Sequence, residues 1–462
     1  MRGLPIGYTE SWKQLRYETS RGGRRRPGES SLLLIGPARS GKTSILIPHL
    51  YEFTGSAIVP DIKGQLSCIV AKHRHKQLGQ RIAFINPLNE RADRIGHFPH
   101  VSINPLDGID IRSLDCGLRA DAIGESIVLV GENEHEKHWP ESGRDLVSGV
   151  SLAVIEYEPP EKRDLVTVYQ RICGPDFFAY ARAMVARGNP LIVGRLGRFA
   201  QHKANENKEL ASIHSTTVTQ FRFMGNQAVI DCLRPSPSRP LLRWQDLRKH
   251  ATTVFPIIPV QYLSALGRFL RLIMGSALST LIATGNTSGL PIYLPWDEFP
   301  ACGHMSIVTD VMALSAGMNL TMMPVVQDAA QLKQLYGEKL NSFLSVAGCQ
   351  LYLPPRDTFT AKLISELCGQ TEVIARSHSL SIDRYSGEPN FSDSANQHSR
   401  AVLLPDEAMA LGADEMLIRV ENLPDVIRAK RKPYYADGRY SGLSPDPYHE
   451  KSGAGLLGWL WR

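Results

Sequence analysis

The chain has 462 residues, of which 43% are hydrophobic and 21% charged, and its formal net charge is +6. That length fills one large core or two moderate ones, and the composition excludes disordered, collagen-like and disulfide-stapled classes. The basic surplus permits contact with nucleic acid or an acidic membrane face but is too small to require either.

Residues 1–30 carry Arg2, Lys13, Arg16, Arg21, Arg24, Arg25 and Arg26 against Glu10, Glu18 and Glu29. They are read as a basic N-terminal arm, either binding phosphates or a solvated tail. A strand over Ser31–Ile35 runs into a Gly-rich turn and a helix from about Lys42, and further strands follow at Ala57–Val59 and Arg81–Ile85. Short apolar strands alternating with helices predict an α/β fold with a parallel-rich central sheet. Over residues 114–232 the period becomes helical, in Ala120–Val130, Arg144–Ile155, Phe177–Val185 and Leu210–Met224, which predicts an inserted all-α domain. Residues 233–240, rich in Pro, Ser and Arg, form the linker back.

Strands resume at Thr252–Ile258, Pro291–Trp296, Asn319–Val326 and Gln350–Leu353, with a last one at Glu415–Val420. The nucleotide-binding domain therefore comprises residues 31–113 and 241–435. Ser377–Ser399 is polar and predicts a mobile loop. Residues 436–462 form a C-terminal tail, whose Leu456, Leu457, Trp459, Leu460 and Trp461 are enough to dock but too few to span a bilayer.

The seven cysteines are scattered singly, without a C-x-x-C pair or zinc-finger spacing, which fits thiols in a reducing compartment. No run reaches the roughly 18 apolar residues that a bilayer span needs, and the N-terminus has no signal-peptide pattern. The expected location is cytoplasmic, with peripheral attachment at the inner membrane left open.

Gly36, Pro37, Ala38, Arg39, Ser40, Gly41, Lys42 and Thr43 fit G-x-x-x-x-G-K-[ST] between an apolar strand and an apolar helix start, and Ser44 continues the loop. Backbone N–H groups there curl around phosphate, and the helix N-terminus adds its dipole. The expected ligands are ATP and Mg²⁺, with Lys42 on the β/γ oxygens and Thr43 on the metal. Asp297 and Glu298 end an apolar strand; Asp297 is expected in the Mg²⁺ shell and Glu298 as the group that orients and deprotonates the attacking water. Pro295 removes a ladder donor inside that strand and predicts a bulge or an unpaired position. Gln327 ends the next strand, where an amide can sense the γ-phosphate.

These residues and their neighbours resemble the TraG/TraD-type coupling-protein family of type IV secretion and conjugation. The resemblance runs through Ile35–Pro48, Val59–Gln65, Phe84–Leu88, Ile103–Asp107, Trp296–Gly303, Val326–Leu332, Tyr336–Glu338 and Arg400–Glu407, about residues 31–435. Ile62 and Gln65 depart from the usual form of the second block, and only 35 residues precede the P-loop, where the family typically has two membrane helices. The resemblance implies a RecA-like motor domain, a hexameric homo-oligomer around DNA, and an all-α domain at the cytoplasmic mouth. It also implies a relaxase or other secreted protein as cargo, partners in the type IV secretion machine, and a separate membrane anchor subunit or a soluble mode of action. An arginine lent by the neighbouring subunit is expected in such rings, with Arg356 the first candidate and Arg400 the second.

Two functions stay open: an ATP-driven DNA motor, and an ATP-dependent receptor that recruits protein substrates without pumping DNA. For the motor, Lys72, Arg74 and Lys76 are spaced two apart, which suits either one face of an extended loop gripping phosphates or a solvated helix face.

Overall fold

A computed structural model describes residues 3–448, apart from 22–23, 28–29, 130–137, 202–207, 286–288 and 383–388. In chain order its strands are β1 (Leu4–Tyr8), β2 (Gln14–Arg21), β3 (Arg24–Pro27), β4 (Ser31–Ile35), β5 (Ser56–Ile58), β6 (Arg81–Ile85) and β7 (Thr252–Pro256). After them come β8 (Ile292–Trp296), β9 (Leu320–Val326), β10 (Ala347–Tyr352), β11 (Gln370–Ile382), β12 (Pro389–Ala401), β13 (Glu415–Val420) and β14 (Ile427–Lys430). Twelve of them form one sheet in the order β3-β2-β1-β14-β13-β10-β4-β9-β8-β5-β7-β6. From β10 to β6 every neighbouring pair is parallel. From β3 to β10 every pair is antiparallel.

The parallel strands are mostly apolar because helices cover both faces. Leu32, Leu33, Leu34 and Ile35 of β4 are all buried, and their side chains alternate between two hydrophobic clusters on opposite sides of the sheet. One cluster continues without a break from the sheet into the helical segment. Between Cys116 and Leu233 every described element is a helix, and Ile123 and Ile127 of this segment share a core with Phe269, Leu270 and Ile273 of the helix Leu263–Ala283. The helical segment and the sheet therefore fold around common apolar contacts.

That long helix also corrects the statement that no run is long enough to span a bilayer. Val260–Ala283 is long and apolar enough by length and composition. Its apolarity has another cause in this structure, since Phe269, Leu270, Leu272, Ile273, Met274 and Leu278 are buried in the core.

The expectation of a basic arm over residues 1–30 is not met. Leu4, Ile6 and Tyr8 of β1 are buried, β1 pairs with both β2 and β14, and Tyr17 Oη of β2 donates to Glu421 at 3.0 Å. Arg16 and Arg21 belong to β2 and Arg24, Arg25 and Arg26 to β3, and Arg16 pairs with Glu52 at 2.7 Å. Residues 436–448 are likewise part of the domain and no tail: Tyr440 is buried, Tyr8 Oη donates to Asp437 at 2.7 Å, and Ser444 N donates to the Ile69 carbonyl. The apolar stretch 453–462 lies outside the described residues. The polar segment Ser377–Ser399, expected as a loop, falls largely in the antiparallel hairpin β11–β12, whose ladder runs from Gln370↔Ala401 to Ile382↔Pro389.

Two polar side chains lock the helices behind the sheet's central strands. Helix α1 (Thr43–Glu52) carries His49, fully buried, with Nε2 donating to the Pro5 carbonyl and Nδ1 accepting from Tyr293 Oη, each at 2.7 Å. It thereby ties β1, α1 and β8 together. Helix α2 (Gln65–Lys76) carries Arg74, which is fully buried. Its guanidinium donates to Thr253 Oγ1 at 2.7 Å, to the Phe53 and Gly55 carbonyls at 3.0 and 3.1 Å, and to the Leu50 carbonyl. The triplet Lys72, Arg74, Lys76 is thus helical and not an extended loop, and only Lys72 and Lys76 face solvent. A residue two positions along a helix points roughly to the other side, which is why Arg74 is turned inward.

Arg74→Ala takes the donor from the Leu50 and Phe53 carbonyls, while Gly55 keeps Gln80 Nε2 at 2.9 Å, and it is expected to destabilise the fold by about 2–4 kcal/mol, whereas Lys72→Ala and Lys76→Ala stay within about 0.5 kcal/mol; urea unfolding midpoints separate the two cases. Burial pushes the His49 pKa down to about 4. A folded-state value below the unfolded one gives stability that is complete above about pH 6.5 and is lost as pH falls toward 4. Unfolding free energies measured across that window should fall by up to about 1.4 kcal/mol per pH unit from this residue, and His49→Gln should flatten the slope.

Candidate nucleotide-binding site

The site lies at the C-terminal ends of three neighbouring parallel strands, β4, β9 and β8. Loops at these ends are where open α/β sheets present their chemistry. The loop Gly36–Lys42 leaves β4 and enters α1, whose N-terminus is capped by no side chain. Uncapped N–H groups at the start of a helix are an anion site. The first carbonyl-to-amide link of the loop is to β9, Gly36 N donating to Val326 O at 3.0 Å. Ser40 Oγ donates to the Pro37 carbonyl at 2.7 Å, and Ser44 N to the Gly41 carbonyl at 2.9 Å, which close the curl. Gly41 has φ +85°, a conformation that a Cβ resists. Arg39 takes a left-handed conformation too, with φ +61°.

Lys42 folds back over its own loop, its Nζ donating to the Gly36 and Pro37 carbonyls at 2.8 and 3.1 Å. Burial pushes its pKa down, while the carboxylates of Asp297 and Glu298 pull it back up. The ammonium is therefore held inside the loop, facing the acidic pair at the end of β8. Thr43 is the first residue of α1, directly after the loop.

Asp297 and Glu298 follow β8 directly. Asp297 is drawn up to about 6, first by burial and then by the adjacent Glu298, against the opposing pull of Lys63 and Lys42. Glu298 sits at φ +53°, in the left-handed region. A non-glycine residue held there costs energy that the surroundings must supply, and such positions cluster at functional sites. Both oxygens of its carboxylate have a neighbour: Lys63 Nζ is 3.5 Å from Oε1, and Gln327 Nε2 is 3.5 Å from Oε2. Gln327 itself ends β9, with its backbone N–H donating to Gln331 Oε1 at 3.1 Å. Lys42, Asp297, Glu298 and Gln327, far apart in sequence, thus converge on one mouth.

Pro295 causes no bulge. It pairs in register with Met323 of β9. Ile292 N donates toward β9, so alternate residues place the absent Pro295 donor on the β5 side, past the last recorded β5–β8 pair at Ala57↔Tyr293.

The two arginine candidates differ. Arg356 is exposed just after β10, the strand next to β4, in the turn before the helix Thr358–Cys368. Arg400 is on β12 and pairs with Glu407 at 2.5 Å.

Two residues join the site without having been assigned to it. Lys63 belongs to the Asp-x-Lys-Gly block, but nothing in the spacing tells which way its side chain runs. Arg431, in the basic cluster after β14, lays its guanidinium on the P-loop so closely that a Cβ at Gly41 would collide with it. It also donates to the Ala413 carbonyl at 2.5 Å. No local pattern announces either, because both depend on which strands become neighbours.

Fold and site together define a RecA-like P-loop NTPase. The chain belongs to the family described as "Type IV secretory system Conjugative DNA transfer", whose model matches residues 12–453. It is similar to the conjugal transfer protein TraG of Escherichia coli, 25% identical over 468 residues, which cover 92% of this chain and 70% of the relative. It is also similar to protein VirD4 of Rhizobium radiobacter, 23% identical over 90% of this chain and 59% of the relative. Among solved structures, the bacterial conjugative coupling protein TrwBdeltaN70 superposes with a TM-score of 0.66 at 14% identity, over 94% of each chain. The plasmid coupling protein TrwB in complex with a non-hydrolysable ATP analogue gives 0.67 at 14% identity. At that identity the likeness shows the fold.

Gly41→Ala imposes the positive φ on a residue with a Cβ and also the collision with Arg431. It is expected to cost about 1–3 kcal/mol, and Arg431→Ala in the same chain should recover only part, since it relieves the collision and not the dihedral; denaturant midpoints of the two variants test this.

Proposed function

We propose that this chain is an ATP-hydrolysing coupling protein that recruits DNA, together with a bound relaxase protein, to a type IV secretion or conjugation machine and drives its transfer. The observation that carries the ATPase part is the meeting of Lys42, Asp297, Glu298 and Gln327 at three adjacent strand ends. Thr43 and Asp297 offer one hydroxyl and one carboxylate, the modest donor set by which Mg²⁺ is held together with nucleotide phosphates, and a TrwB structure contains ADP and Mg²⁺. When bound, Mg²⁺ supplies charge neutralisation across the phosphates.

In this proposal the loop Gly36–Ser44 binds the phosphate chain through backbone N–H groups, and Lys42 leaves its loop carbonyls to neutralise the terminal oxygens. Glu298 orients the attacking water and accepts its proton. Gln327, within 3.5 Å of Glu298, reads the presence of the γ-phosphate and passes it to β9. Arg356, exposed beside β4, is lent to the neighbouring copy of a homo-hexamer. Arg400, already paired with Glu407, is the less available candidate. The DNA part rests on the family and on its relatives named for conjugal transfer; Lys72 and Lys76, both exposed, are backbone grips in this reading, and Arg74 is not. The chain acts at the cytoplasmic face of the inner membrane in this reading.

The test is a pair of variants. Lys42→Ala should lose both binding of a fluorescent ATP analogue and hydrolysis, while Glu298→Gln should keep binding within about threefold and lose turnover by about 100-fold or more. Normal turnover in Glu298→Gln would remove Glu298 from the reaction and leave the arrangement a nucleotide-binding scaffold.

A further inference from the structure

Lys63 lies in the loop between β5 and α2, and the structure fixes that loop from several sides. The Asp61 carboxylate, buried at 2% exposure, accepts from Gln65 N at 3.0 Å and Ser67 N at 2.7 Å, capping α2 from within the loop. Gly64, at φ +61°, makes the turn. From the outside Tyr448 Oη donates to the Lys63 carbonyl at 3.1 Å, and Gln65 Nε2 donates to Asp446 at 2.8 Å. The backbone of Lys63 is therefore pinned, while its side chain, 44% exposed, reaches across to Glu298.

A half-exposed ion pair at 3.5 Å contributes little to stability. So much backbone restraint around so weak a contact has a better account in geometry. Glu298 stands on a strained backbone, and its two oxygens are met by Lys63 on one side and Gln327 on the other. A carboxylate carried on a flexible two-methylene stem has several rotamers, and a cation on one side with an amide on the other favours one of them. The cost of losing such selection falls on the reaction, because small displacements of a reacting group cost large factors in rate.

We propose that Lys63 is a positioning residue for Glu298: its ammonium, held by the capped loop, fixes the carboxylate in the orientation that turns over the attacking water. This rests on the assignment of Glu298 as the base. Lys63 acts through Glu298 and touches no phosphate, so its removal should separate turnover from binding.

The experiment measures hydrolysis kinetics, fluorescent ADP binding and melting temperature for the full chain and for Lys63→Ala and Lys63→Arg. Lys63→Ala should lower kcat by about 10- to 100-fold with KM, ADP-analogue affinity and melting temperature unchanged, and Lys63→Arg should restore most of kcat. Unchanged kcat in Lys63→Ala overturns the proposal while the ATPase assignment stands. Raised KM and weakened ADP-analogue binding with kcat preserved also overturn it, because Lys63 would then contact nucleotide directly. A parent chain without hydrolysis sinks the ATPase assignment and this proposal with it.

Discussion

Everything the site can do depends on the parallel register of β4, β9 and β8. Leu34 and Ile35 pair with Val325 and Val326, and Trp296 pairs with Pro324, so the three strands end within a few residues of one another. Buried parallel strands hold that register through main-chain bonds and packing on both faces, and a slip by one residue would turn every side chain to the wrong face. Because the register is fixed, a lysine at the start of α1, a carboxylate pair after β8 and an amide after β9 need no long side-chain excursions to meet. The strained φ of Glu298 belongs to the same geometry: the chain must turn abruptly at the end of β8 into the short helical turn Phe299–Cys302.

The antiparallel half of the sheet gives the site its other wall. β1, β14 and β13 extend the sheet beyond β10, and the segment after β14 brings Arg431 onto the P-loop. His49 then links β1 to α1 on the far side of that loop. Residues at both ends of the chain thus buttress the phosphate loop, while the helical segment shares its core with the long helix Leu263–Ala283. The nucleotide loop and the helix it enters are therefore in contact with segments from both ends of the sequence.

Much of this was legible in the sequence where the signal was local. The P-loop spacing, the apolar run into Asp297-Glu298 and the helical period over 114–232 each carry their information within a dozen or so residues. What was not legible depended on distant pairing. The N-terminal strands look like a basic tail because their arginines dominate the composition, and only β14, more than 400 residues on, and the burial of Leu4, Ile6 and Tyr8 reveal them as sheet. The β11–β12 hairpin is polar over most of its length, so the hydrophobic alternation that marks a half-buried strand is missing. Arg74 departs from both expectations for its triplet, the extended loop face and the solvated helix face: a helix forms, but on it a spacing of two turns the middle residue inward. Of the bulge or unpaired position expected at Pro295, the structure has the unpaired position, because β5 has ended by that level of the sheet.

The most direct measurement is the ATP hydrolysis rate of the full chain with and without DNA, taken at low and at high salt. A motor that grips the phosphate backbone should hydrolyse faster with DNA irrespective of base sequence, and the stimulation should fall steeply as salt rises and counterion release loses its value. Hydrolysis that proceeds at the same rate with and without DNA at low salt, in a confirmed hexamer, would contradict the account and favour a receptor for protein substrates.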